Sequence, residues 1–439
     1  MLVHGKGLFF YVEENLKMVL ALVLFIIMYV LLLLFPRYRP WIALGTALVF
    51  VILQIMPLQE ILGSINFNVL MMIAGTMGIV SLFIESGMPS LMADIIVDKM
   101  PNVKWTIVAL ALFAGIVSAF VDNVATVLMI APVAIAIARK FEISPIAMVI
   151  AISVSSNLQG AATLVGDTTA ILLGGYADMT FMDFFVFHGK AGIFWAVELG
   201  ALLTAGVLLI LFRKETQPTV GKDRTEVKDY VPTILLAGTV VLLIIASFIP
   251  NTPEYINGYI CMTLLIIGLI WNVIKKRSLL GITKPVSEID YETLLLLTGL
   301  FIVIGGITQA GVIDEIAKLF LKIGSGNLFV IYMLIVWVSV ALSAFVDNIP
   351  YVATMLPVVQ GIAAGMGVEP YVLYFGLLIG ATLGGNLPPV GASANITAIG
   401  MLQREGYIVK TRDFMRIGIP FSLVAVLSGS IFVWLVWGI

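Results

Sequence analysis

The chain has 439 residues, 61% of them hydrophobic and 11% charged, whereas a water-soluble domain carries roughly 45–50% apolar and about 25% charged residues; a soluble globular protein is excluded. Lys plus Arg number 24 against 26 for Asp plus Glu, a net charge of −2, so there is no basic field for nucleic acid. One cysteine, Cys261, and two distant histidines, His4 and His188, exclude a disulfide framework and leave no Cys/His set for a resident metal or other cofactor.

In chain order, the first apolar run begins at Met18, after Glu13 and Glu14, with no small-residue cleavage pattern; it predicts a retained helix, not a signal peptide. Spans are predicted over 18–35, 41–56, 67–84, 146–175 and 192–212, then over 231–249, 255–274, 293–310, 371–402 and 417–437. That gives about ten transmembrane helices in an all-α integral membrane protein. The stretches 105–139 and 328–365 differ, because each carries a polar Asp-Asn pair at its middle. The arms of the first, about 16 residues long, rise roughly 24 Å, short of the hydrocarbon thickness. Both stretches are therefore expected to be re-entrant hairpins.

Loop charge orients this layout, since short cytoplasmic loops collect Lys and Arg. One face takes Arg37, Arg39, Lys99, Lys104, Arg139, Lys140, Arg213, Lys214, Lys222, Arg224, Lys228, Lys275, Lys276, Arg277, Lys284, Arg404, Lys410, Arg412 and Arg416; the other keeps Lys6, Lys17, Lys190, Lys318 and Lys322. The richer face is expected to be cytoplasmic, with both termini outside, in the plasma membrane of a bacterium or archaeon. The charged stretch 213–230 reads as a solvated linker between halves 1–212 and 231–439.

Those halves repeat. SAFVDN runs from Ser118 to Asn123 and again from Ser343 to Asn348; downstream Gly160 falls on Gly385, Gly166 on Gly391 and Ile171 on Ile396, while upstream Gly75 and Gly87 meet Gly299 and Gly311 after a one-residue slip. Five crossings separate equivalent segments, so the repeat is expected to be inverted, a recurring plan of secondary transporters whose sites lie at broken helices near the midplane. The broken helices are expected at 146–175 and 371–403, interrupted by Ser155-Ser156-Asn157-Leu158-Gln159-Gly160 and by Gly384-Gly385-Asn386-Leu387-Pro388-Pro389. Freed amides and carbonyls inside a membrane are tolerable only around a cavity; at Gly385 a left-handed backbone is expected.

An acid within a span costs roughly 2.5–3.5 kcal/mol on insertion scales, which singles out Asp122, Asp347 and Asp167 as carriers of a proton or Na⁺, or as caps of the hairpin tips. The candidate substrate- and ion-binding set is Asp122, Asn123, Thr126, Asn157, Gly160, Thr163, Asp167, Thr168, Asp347, Asn348, Gly385, Asn386, Ser393 and Asn395. Glu85 and Glu198 read as helix-end residues.

Three pieces of sequence, FVDN with Val124-Ala125-Thr126, SSNLQGAATLVGD from Ser155 to Asp167, and GGNLPPVGASAN from Gly384 to Asn395, resemble the ion transporter superfamily. Within it they look similar to the branch of arsenite permeases, sodium/proton antiporters and the melanocyte P protein. The resemblance covers nearly the whole chain and implies a scaffold region, two re-entrant hairpins, a substrate site between hairpin tips and broken helices, and a homodimer. Relatives commonly carry Gly-Asp-Pro-Pro-Asn where this chain has Gly166-Asp167-Thr168-Thr169-Ala170, so the resemblance speaks to fold more than to substrate.

No nucleophile–base pair or metal constellation sits at the breaks, so an enzyme is excluded. The windows 105–138, 141–189 and 328–403 hold no Lys or Arg, and the site is expected to lack a fixed cation. The expected function is a secondary active transporter, working by alternating access and coupled to a proton or sodium gradient, for a small inorganic ion or oxyacid such as arsenite. A sodium/proton antiporter ranks second and a dicarboxylate:sodium symporter third; an ion channel of the same fold is the rival of another class.

Overall fold

The computed structural model describes residues 2–140, 142–218 and 224–439, with side chains from residue 15 onward. Lys222 and the side chains of His4, Lys6, Glu13 and Glu14 lie outside the described residues. The fold is nearly all-helical. In the first half it runs α1 (Leu2–Leu34), α2 (Arg39–Ile52), α3 (Ile61–Ser64), α4 (Phe67–Ser86), α5 (Met88–Asp98), α6 (Val103–Ser118), α7 (Asn123–Lys140), α8 (Ile146–Gly160), α9 (Thr168–Tyr176) and α10 (Ile193–Leu211). The second half runs α11 (Val231–Ser247), α12 (Ile256–Lys276), α13 (Leu280–Ser287), α14 (Tyr291–Gln309), α15 (Val312–Ile323), α16 (Leu328–Ser343), α17 (Asn348–Met366), α18 (Tyr371–Gly384), α19 (Ser393–Arg404) and α20 (Thr411–Trp437).

Helix boundaries follow capping chemistry, and the caps recur with the sequence repeat. Asn66 accepts the Val69 N–H at 3.0 Å at the start of α4, and Asp290 accepts the Thr293 N–H at 3.0 Å at the start of α14. Asn102 does the same for Trp105 at 3.2 Å ahead of α6, and Asn327 for Val330 at 3.2 Å ahead of α16. Each of these side chains satisfies a first-turn donor that has no intrahelical partner. Gly87 and Gly311, with φ of 79° and 77°, separate α4 from α5 and α14 from α15; only the left-handed region makes that sharp a corner, and Gly enters it without strain. Packing is reciprocal as well: α4 lies on α12 and α14 on α2, α6 lies on α8 and α16 on α18, and α10 pairs with α20.

Among the described residues eight helices are long and apolar enough to cross a membrane; six fall on the ten predicted spans, and two, α7 and α17, fall in the stretches expected to be hairpins. At 14 residues, α2 rises about 21 Å, because its apolar run unwinds after Ile52; α11 has 17 residues; and the two broken helices each divide into shorter pieces, the first after Gly160 and not within 155–160 as expected, since that run stays helical in α8. Four helices escaped prediction, the short α3 and α13 and the longer α5 and α15. In α15 only Val312, Ile313 and Ala317 are buried, while Asp314, Glu315, Lys318 and Lys322 are exposed. Such a strip is amphipathic, not a spanning helix, and it turns into α16 through 116°.

Where a solvated linker was expected over 213–230, the described residues 224–228 dock on α4 and α5. Thr225 donates both its N–H (2.9 Å) and its hydroxyl (2.6 Å) to the buried carboxylate of Asp94, Arg224 pairs with Asp98 at 3.2 Å, and the Lys228 N–H reaches the Ser86 carbonyl at 2.9 Å. A buried carboxylate requires donors, and the linker supplies them. Partial burial alone would raise the Asp229 carboxyl, yet the Val231 N–H, Lys275 and Trp271 hold it below its ordinary value.

Candidate functional site

The break between α6 and α7 spans residues 119–122, and that between α16 and α17 spans 344–347. Each ends in an aspartate that caps the next helix. Asp122 Oδ1 accepts the N–H groups of Val124 (2.9 Å) and Ala125 (3.2 Å), and Asp347 Oδ1 accepts that of Ile349 (3.2 Å). Their second oxygens differ. Arg39 reaches across from the start of α2 to Asp347 Oδ2 at 2.7 Å, whereas among the described residues no donor reaches Oδ2 of Asp122.

Asp122 lines a cavity of about 320 Å³ together with Asn123, Asp167, Thr168, Asn348 and Ser393 from the repeats, and with Ser81, Glu85, Lys284, Glu288, Asp290 and Thr293 from α4, α13 and the start of α14. Asn123, Thr168, Asn348 and Ser393 are the first residues of α7, α9, α17 and α19, so four helix N-termini converge on one space. Each brings the positive end of its dipole. Two of the four are capped by Asp122 and Asp347; the residues ahead of α9 and α19, Asp167 and Ala392, make no side-chain cap. A cavity so built presents fixed donors to an anionic or oxygen-rich group, with carboxylates alongside for a cation or proton. The exposed residues Lys284, Glu288 and Asp290 form its rim.

A second cavity, of about 730 Å³, lies at the opposite end of α14, where Thr308 and Gln309 meet Glu60, Tyr176, Glu254 and Tyr255.

The remaining predicted residues support the site from behind. Asn157 accepts from Asn123 Nδ2 at 2.9 Å and donates to Asn386 Oδ1 at 2.6 Å and Asn395 Oδ1 at 3.2 Å. Asn386 Nδ2 reaches the Val154 carbonyl, and Asn395 Nδ2 that of Gly385, both at 3.0 Å. All three side chains are buried, so they lock the two broken helices to each other and present nothing to the cavity. Thr163 donates its hydroxyl to the Ala119 carbonyl, and Thr126 packs beneath the tip with a long contact to the Val121 carbonyl at 3.4 Å; neither lines the cavity.

Gly160 and Gly385 are also packing positions. Gly385 has φ −59°, so the left-handed backbone expected there is corrected; its small size is needed because an added Cβ would lie 2.9 Å from the Gly391 carbonyl oxygen. The crossing is tighter still at Gly166, where a Cβ would meet the carbonyl oxygens of Gly160 (2.5 Å), Ser118 (2.7 Å) and Ala119 (2.8 Å), and at Gly391, where it would meet those of Gly385 (2.6 Å) and Ala344 (2.9 Å). Backbone cannot swing aside as a side chain does. Gly166→Ala and Gly391→Ala are each expected to destabilise the protein by about 1–3 kcal/mol through overpacking, read as a lowered unfolding midpoint in detergent. Gly238→Ala, in the interior of α11 with nothing within 4 Å, serves as the control that holds or rises, since helical Gly is about 1 kcal/mol worse than Ala.

Gln159 is fully buried, and neither its Nε2 nor its Oε1 finds a partner among the described residues. Its amide lies against Gly115, leaving no room for a Cβ there. Gln159→Met keeps the volume and removes an unpaired buried amide, so it is expected to stabilise by about 1–3 kcal/mol. A lowered midpoint would contradict this.

Two cations lie near the candidate residues although the windows 105–138, 141–189 and 328–403 hold none. Arg39 pairs with Asp347 across 308 residues of sequence, and Lys284 lines the cavity; both come from scaffold helices outside the windows that lack Lys and Arg. Glu85, read as a helix-end residue, lines the same cavity while pairing with Lys276 at 2.6 Å.

Comparison with known proteins agrees with this architecture. The pattern of a family described as citrate transporter (CitMHS) matches residues 29–380. An uncharacterized transporter of Mycobacterium tuberculosis is 30% identical over 426 residues, covering 95% of this chain and 98% of the relative. The P protein of Sus scrofa is 26% identical over 455 residues, covering 85% of this chain and 53% of that protein. The crystal structure of the YdaH transporter of Alcanivorax borkumensis superposes with a TM-score of 0.58 at 14% identity, over 86% of this chain and 87% of that one, a likeness of fold alone.

Proposed function

The chain belongs to the citrate transporter family CitMHS and is a membrane transporter, not an enzyme; on that premise we propose that it is a secondary active transporter for a small oxygen-rich acid of the carboxylate class, coupled to a proton or Na⁺. The observation that carries this reading is the convergence of four helix N-termini on one cavity. The sequence left a carboxylate without a cationic holder and so ranked it third; four sets of backbone donors, two of them uncapped by side chains, supply that holder, and Lys284 adds a charge at the rim. Asp122 and Asp167 then take the coupling cation, whose charge lets an anion sit beside carboxylates. In this reading Asn123, Thr168, Asn348 and Ser393 orient the solute.

The matched breaks, caps and reciprocal packing support two halves of inverted topology, with 105–139 and 328–365 as hairpins and the Lys/Arg-rich face cytoplasmic. The cavities at the two ends of α14 would be reached alternately, and a homodimer follows from the resemblance to the superfamily.

The second reading is transport of an inorganic oxyacid such as arsenite. The cavity's small volume and its five acids favour it, because an uncharged oxyacid meets carboxylates without repulsion. Uptake of citrate, succinate and arsenite into proteoliposomes under imposed proton or sodium gradients tests both. Gradient-driven citrate or succinate uptake is the expected result; response to arsenite alone would establish the second reading, and unitary currents would replace both with a channel.

A further inference from the structure

The two hairpin tips carry the same letters, SAFVDN, and the same cap, yet their aspartates meet opposite circumstances. Asp122 lines the cavity with its Oδ2 reached by no donor among the described residues. Asp347 does not line it, and its side chain, 12% exposed, gives its Oδ2 to Arg39 at 2.7 Å. Arg39 is held in turn, with its Nε 3.4 Å from the Leu32 carbonyl, and the Tyr29 hydroxyl ties the same hairpin through the Pro350 carbonyl (2.7 Å) and the Thr354 hydroxyl (2.5 Å). At the first tip the neighbouring charged groups are Asp167 from the first break, Glu85 from α4, Lys284 and Glu288 from α13, and Asp290. Lys284 is 60% exposed and 3.9 Å from Glu85, so it does not neutralise Asp122 as Arg39 neutralises Asp347.

We propose that Arg39 is a built-in counter-ion that occupies, at the second hairpin tip, the electrostatic place a coupling cation takes at the first, so that coupling charge is carried at Asp122 and not at Asp347. Arg39 is a positioning residue in this scheme: always protonated, it satisfies Asp347 and fixes the tip through every step. A repeat that would otherwise offer two equivalent cation positions is thereby reduced to one. The inference rests on the coupled-transport reading above and assigns its charge to one half of the molecule.

The test is uptake of radiolabelled citrate and of arsenite into proteoliposomes at graded external Na⁺ and pH, read as the apparent order in the coupling cation, on monodisperse folded protein. The neutral pair R39Q/D347N is expected to keep the wild-type order, and R39Q alone, which leaves Asp347 without its cation, is expected to raise it. A lower order in R39Q/D347N would overturn the proposal, because Asp347 would then carry coupling charge; so would an R39Q variant with unchanged order. If R39Q alone does not fold, the double variant decides. Wild-type flux indifferent to both gradients removes the coupling reading itself, and this inference with it, a result distinct from a change of order in the variants.

Discussion

Asp122→Asn is expected to abolish gradient-driven accumulation while leaving solute exchange intact. Asn caps a helix as well as Asp does, so the acceptors of the Val124 and Ala125 N–H groups persist and the tip keeps its shape. What is lost is the ionisable oxygen in the cavity. A membrane potential of 100 mV is worth about 2.3 kcal/mol per charge carried, which sustains about a 50-fold gradient of solute per net coupled charge. A carrier without its coupling charge reaches only equal concentrations on both sides, so accumulation in proteoliposomes should fall toward unity while counterflow of labelled solute continues. Accumulation at the wild-type level in folded Asp122→Asn protein would remove Asp122 from the coupling role and leave it as a cap. Counterflow lost along with accumulation would place Asp122 in solute binding instead.

The sequence carried a good deal of this arrangement. Repetition of SAFVDN located the breaks at 119–122 and 344–347, the Gly75/Gly299 and Gly87/Gly311 slip anticipated the offset between α4–α5 and α14–α15, and the run at 384–389 fell on the end of α18, whereas 155–160 stays helical within α8 and the chain parts only after it. These features are local, written in caps, glycines and periodicity. The partners brought together by folding were not legible. Arg39 sits in what reads as a loop between two spans, and nothing in its neighbourhood announces that it will meet Asp347. Lys284, Glu288 and Asp290 lie in a charged connector that composition assigns to water, and only the packing of α13 beside α4 brings them to the cavity. The same limit applies to Asn157, Asn386 and Asn395, which bond to one another and do not line the cavity. Polar letters in a broken helix signal that something must satisfy them, but not whether it is a solute or one another.

That ambiguity has a direct thermodynamic test. Asn157 is the centre of a buried network joining Asn123 of α7 to Asn386, just after α18, and Asn395 of α19. Asn157→Leu approximately keeps the volume but orphans Asn123 Nδ2 and takes from Asn386 Oδ1 its 2.6 Å donor, leaving only a 3.5 Å contact from Asn395. The Asn395 oxygen loses less, because Ser153 still donates to it at 2.5 Å. Two buried groups without good partners cost about 1–3 kcal/mol each, so the substitution should destabilise by about 2–6 kcal/mol and lower the unfolding midpoint by several degrees. Ser422→Ala is the matched control: that buried hydroxyl has no partner among the described residues, and its removal should leave the midpoint unchanged or raise it. If the asparagines instead existed to bind solute, Asn157→Leu would lower affinity and leave the midpoint of the solute-free protein near that of the control. A large drop in midpoint, with the solute concentration for half-maximal uptake unchanged in the surviving folded fraction, is the outcome that identifies these amides as the join between the two halves.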